Sequence, residues 1–167
     1  MGHTFSVSIK GHKQGQFKAE TTQGLAKNKI AGLRFSYEVA SARDKATGQA
    51  SGKRQHSPVK MVKAIGAATP QIFQALVNNE VLDDVKFEFQ RTNANGEEEI
   101  YYTITLTNAR VASVRQFTND ELAAAGAPAK GKSSDPMELE EVSFVFQKIE
   151  VESKEGKTVG SDDWTVN

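Results

Sequence analysis

Apolar and polar residues alternate with a period of two in one stretch of this chain after another, and that side-chain period belongs to β-strands. Phe5, Val7 and Ile9 alternate with Ser6, Ser8 and Lys10; Leu33, Phe35, Tyr37 and Val39 with Arg34, Ser36 and Glu38. Val85, Phe87 and Phe89 alternate with Lys86, Glu88 and Gln90; Ile100, Tyr102, Ile104 and Leu106 with Tyr101, Thr103, Thr105 and Thr107. Each pattern predicts a strand with one buried and one wet face. Asn95-Gly96 between the last two predicts that they form a hairpin. Gly11 to Gly15 supplies a turn after the first strand, and Val59 to Ile65 reads as a strand buried in part on both sides. Val111 to Phe117 is a further short strand. Val142, Phe144 and Phe146 share one face, but Ile149 and Val151 fall on the other parity, so either a bulge shifts the phase or both faces are covered. Glu155-Gly156-Lys157 can return the chain into a last strand within 158–166.

Only one segment breaks the period. Thr69 before Pro70 predicts an N-cap and a first helical residue. Ile72, Phe73, Leu76 and Val77 then form two i,i+4 pairs on one face, with Gln71, Gln74, Asn78 and Asn79 around the other. A helix of this length is marginal alone, so these four apolar residues are expected to dock it on the sheet. Seven or so strands with no β–α alternation predict a mainly β fold: a small antiparallel β-barrel or sandwich with one short α-helix packed on its side.

At 167 residues the chain fits a single domain over its whole length. Lys plus Arg equals Asp plus Glu at 21 each, which disfavours a polyanionic partner such as nucleic acid. No cysteine is present, so no disulfide or thiolate chemistry is available. The opening residues lack the apolar run of a secretory signal, and no stretch is long enough to insert into a membrane. Met1, Gly2 and Ser6 satisfy the short myristoylation pattern, which by itself gives only marginal membrane binding. Two long loops interrupt the strands. Residues 41–56 are polar and basic with Gly48 and Gly52, and about 118–138 are rich in Ala, Gly and Pro. Loops of this length are usually functional or disordered.

One catalytic pattern matches. Gly126 to Ser133 satisfies G-x-x-x-x-G-K-[ST], a phosphate-cradling loop. Its mechanism needs a core strand before it and a helix after it, whereas alanines precede it and Pro136 follows. A flexible loop is the better reading, with a nucleotide-binding protein as the rival. His3, His12 and His56 have no metal-ligand spacing. Asp83-Asp84 and Asp162-Asp163 read as solvated turns, because neighbours on a strand point apart. The expectation is therefore no enzyme and no cofactor. A basic set, Lys53, Arg54, Lys60 and Lys63, faces an acidic one, Glu97 to Glu99, Glu138 to Glu141 and Asp162-Asp163, so that copies could meet head to tail. A secreted β-sandwich binding module is the other alternative, though Trp164 and three tyrosines are few aromatics for it.

Several separated blocks resemble the haemolysin-coregulated protein (Hcp) family of bacterial type VI secretion. They are Gly52 to Lys60, Lys63-Ala-Ile, Thr69-Pro70 with its helix, Tyr101 to Ile104 with Asn108-Ala, Glu140 to Ile149, and the terminal Asp162-Asp163-Trp164. The likeness runs from about Phe5 to Trp164 and departs at 118–136. It implies a homohexameric ring that stacks into the inner tube of a contractile injection machine. The implied partners are further copies, sheath proteins, a valine-glycine-repeat spike protein and effector proteins held in the lumen. It also implies assembly in the bacterial cytoplasm and leaderless expulsion from the cell. The family's extended hairpin would fall at 41–56, which places Arg43, Asp44, Lys53, Arg54 and His56 at assembly contacts, with Arg54 and His56 positioning the strand that follows. Opposite charges across stacked rings would set their register.

Overall fold

A computed structural model describes residues 4–20, 28–118 and 138–164. Its strands are β1 (Thr4–Gly11), β2 (Gly15–Gln16), β3 (Ile30–Gly32), β4 (Arg34–Ser36), β5 (Val39–Ala40), β6 (Gln55–His56) and β7 (Val59–Ala64), followed by α1 (Thr69–Val77). Then come β8 (Leu82–Thr92), β9 (Glu98–Thr118), β10 (Glu138–Val145), β11 (Lys148–Ser153) and β12 (Thr158–Asp163). Every named strand pair among the described residues is antiparallel. The main sheet runs β2-β1-β8-β9-β10-β7-β4, with β11 and β12 added beside β9 and β3 beside β1. It folds as a β-sandwich and is not closed into a barrel, which narrows the expected pair of architectures to one.

The strands of the alternating stretches stand where their pattern places them. Val7 and Ile9 on β1, Val85 and Phe87 on β8, and Ile104 and Leu106 on β9 are buried in one cluster with Ile72, Val142 and Phe144. The hairpin between β8 and β9 turns at Asn93–Glu97, with Gly96 at φ +80°, a conformation that favours glycine. The further short strand expected at 111–117 is instead the continuation of β9. That strand passes from one half of the sandwich to the other, pairing first with β11 and then with β10. Asn108, at φ 49°, marks the crossing, and its amide donates to Gln147 Oε1 in the connection between those two partners. The parity change after Phe146 therefore has a simple cause: β10 ends at Val145 and β11 begins at Lys148. The excursion at 118–138 and the Gly126 to Ser133 pattern lie outside the described residues, apart from Thr118 and Glu138, which pair with each other.

Two expectations need correction. The strand expected from Leu33 to Val39 is broken into β3, β4 and β5, and Leu33 and Val39 are exposed. The break lets the chain change partner, since β3 pairs with β1 whereas β4 pairs with β7. On α1, Ile72 and Ala75 are buried and Leu76 packs against the core, but Phe73 and Val77 are 56% and 57% exposed. The helix is seated by Ala68, Ile72 and Ala75, a narrower stripe than the four large residues predict, because small alanines bring it close to the sheet.

Thr69 does not cap α1. Its hydroxyl accepts from the Gly66 N–H and donates to Glu140 Oε1, both at 2.9 Å. The same Glu140 oxygen lies 2.7 Å from the Lys63 ammonium, and both side chains are wholly buried. Lys63 and Glu140 are direct cross-strand partners on β7 and β10, so the pair also fixes register. Glu20 reaches in from another segment to accept from Lys63 Nζ and from the Ala68 N–H, each at 2.9 Å, serving the helix start from a distance. A Cβ on Gly66 would stand 2.6 Å from the Glu20 carboxylate, which explains the glycine. Lys63 and Glu140 thus leave the two surface charge sets proposed from sequence and belong to the interior.

Candidate assembly site

Residues 39–57 leave the sandwich as a two-stranded arm. Val39 pairs with His56 and Ala40 with Gln55, and an isolated bridge joins Arg43 to Ala50 further out. The long loop expected at 41–56 is thus a ribbon. Its outer turn is made by Asp44, whose Oδ1 accepts from the Ala46 and Thr47 N–H groups at 2.8 and 2.9 Å. These amide bonds, led by that from Thr47, hold the Asp44 carboxyl below its ordinary range. Gly48 completes the turn at φ +72°, its carbonyl accepting from Arg43 Nη1 at 3.4 Å. Arg43 and Asp44 are therefore brought together and shape the tip, while Lys53 lies on the exposed return limb.

The root of the arm is fixed differently. Arg54 grips Asp162 at two points, Nε to Oδ2 and Nη2 to Oδ1, each at 2.7 Å, and Nη2 also donates to the Asp163 carbonyl at 3.1 Å. His56 Nε2 lies 2.6 Å from Asp162 Oδ2. A carboxylate only accepts, so Nε2 carries the proton in neutral His56 and Nδ1 accepts from the Tyr37 hydroxyl. Tyr37 stacks on the imidazole, while Phe146 and Trp164 meet its face edge-on at 5.3 and 4.8 Å between centroids. The Arg54 hydrogen bond first, and that of His56 second, bring the Asp162 carboxyl down from 3.8 to about 2. Burial, then the Asp162 charge, pushes the Tyr37 hydroxyl up.

Tyr37, His56 and Asp162 make the hydrogen-bond chain of a relay, but its geometry serves position. His56 is 4% exposed and walled by aromatic rings, which leaves it no room to meet a substrate. Among the residues selected from sequence, Arg54 and His56 converge on one carboxylate, Arg43 and Asp44 converge on the tip, and Lys53 joins neither. Asp162 was taken for a solvated turn residue and is instead a strand residue at the centre of the anchor. The signal that could have found it was its place in the Asp162-Asp163-Trp164 ending. Ile72, Phe73, Leu76 and Val77 lie apart from the arm, on α1.

A family model described as type VI secretion system effector, Hcp, matches residues 7–152. A major exported protein of Pseudomonas aeruginosa is 31% identical, with 95% of this chain and 93% of that protein covered. Among solved structures, a crystal structure of an Hcp protein superposes with a TM-score of 0.85 at 26% identity, covering 99% of this chain and 100% of the other. The secreted protein Hcp3 from Pseudomonas aeruginosa gives 0.77 at 27% identity over 98% and 99%.

Proposed function

This chain belongs to the type VI secretion Hcp family, and on that premise we propose that it is a non-enzymatic subunit of the secretion tube, built from stacked homohexameric rings. The observation that carries the reading is the superposition over 99% of the chain on an Hcp protein at 26% identity. The name of the exported Pseudomonas relative supports the expectation that the protein is expelled from the bacterial cell after assembly in the cytoplasm. The sheath proteins, the valine-glycine-repeat spike and effector cargo within the lumen are its proposed partners.

The arm is the proposed ring-to-ring contact. Its tip is stiffened by its own main-chain bonds and its root is held by Asp162, so it presents Arg43, Asp44 and Lys53 in a defined place. Such charges set register more than affinity. The relay at His56 supports a structural role because it is enclosed, and nothing in its surroundings needs a substrate. Negative-stain imaging of the purified protein tests the reading: six-fold rings with an open centre are expected, and solitary particles would contradict it.

A further inference from the structure

Strand β12 stands at an edge of the sheet, paired with β11 alone. The register decides which of its main-chain groups face outward. The Trp164 N–H donates to the Gln147 carbonyl at 2.9 Å, and the pairing continues from Lys148–Asp163 to Ser153–Thr158 without a shift. In an antiparallel ladder bonded pairs alternate, so residues 164, 162, 160 and 158 bond to β11, and Val159, Ser161 and Asp163 turn their N–H and C=O groups away from it. The outward Asp163 carbonyl is occupied by Arg54 Nη2 from the arm root. From that stop back to Thr158 the strand is exposed, Val159 at 60%.

Edge strands are ordinarily blunted by lysine, proline, a bulge or a covering segment. Thr158-Val159-Gly160-Ser161 carries no charge and no proline, its register is unbroken, and it is exposed. We propose that this edge is a docking strand for a second copy of the chain, which adds a β-strand along Val159 to Ser161, and that Arg54 sets where the pairing stops. The inference rests on the tube-subunit reading and names the lateral contact within it.

A second copy fits for two reasons. The chain carries 21 positive and 21 negative side chains, so its copies do not repel as wholes. The exposed face beside the edge carries Glu150 and Glu152, opposite Ser161 and Val159, whereas the far end of the sheet is β4, where Arg34 and Lys60 line an open cleft with Glu141. Two different patches of opposed charge make a heterologous contact, the kind that closes into a ring when the rotation allows.

Val159→Pro removes an outward N–H while leaving the β11 ladder bonds intact, and Val159→Lys adds the charge that natural edges use. Sedimentation over a dilution series, with circular dichroism as the folding control, tests both. The expected result is folded variants that associate about tenfold or more weakly than the native chain, as for loss of main-chain hydrogen bonds. Folded variants with unchanged association would overturn the docking strand and leave the tube reading standing. A native chain that stays monomeric would overturn both.

Discussion

Arg54 and Asp162, 108 positions apart, meet in a two-point ion pair with both contacts at 2.7 Å, and His56 closes on the same carboxylate at 2.6 Å. One side chain on the terminal strand thus holds both cation-bearing residues at the arm root. Asp162→Ala should free that root while leaving the sandwich folded. Hydrogen exchange measures it. Arm amides such as Asp44, Gly48 and Ser51, bonded within the ribbon, should lose protection, while β8 and β9 keep theirs. Equal protection in the variant would contradict the anchor.

The same carboxylate sets a pH dependence. Its folded value is depressed, from 3.8 to about 2, so the anchor's contribution is fully present above the ordinary value and is lost as pH falls through the folded one. Trp164 packs on His56 at 4.8 Å and is placed to report it by fluorescence. A transition is expected between pH 3.8 and about 2, and Asp162→Asn should abolish it.

Lys63→Met should be among the most damaging single changes. It leaves the wholly buried Glu140 and the nearly buried Glu20 without their shared ammonium. Breaking a buried pair in this way costs about 3 to 5 kcal/mol. Urea unfolding of Lys63→Met against Lys63→Met/Glu20→Gln/Glu140→Leu checks it, with the triple variant recovering much of the loss.

On α1, Ile72→Ala should cost about 2 to 5 kcal/mol and Leu76→Ala less, since Leu76 is only half-buried. Phe73→Ala and Val77→Ala should change subunit stability by about 0.5 kcal/mol or less, because their side chains face out. Chemical denaturation of the four variants separates the seated stripe from the exposed one.

What the sequence revealed follows from which interactions are local. Alternation exposed β1, β8 and β9 because each has one buried face, and Asn95-Gly96 located their turn. The helix was visible through Thr69-Pro70, yet periodicity could not rank Phe73 against Ala75, since the sheet accepts the smaller residue closely. Lys63 looked like surface charge because its two carboxylates come from Glu20 and Glu140, neither of them near it in sequence. Asp162 was hidden for the same reason. His56 and Arg54 were selected through family likeness, and their meeting point became visible only when β12 and the arm lay side by side.

The central claim is a ring of identical chains, and native mass spectrometry of the purified protein tests it most directly. The account predicts a closed assembly of six chain masses that persists on moderate dilution. A stable monomer at tens of micromolar would contradict it.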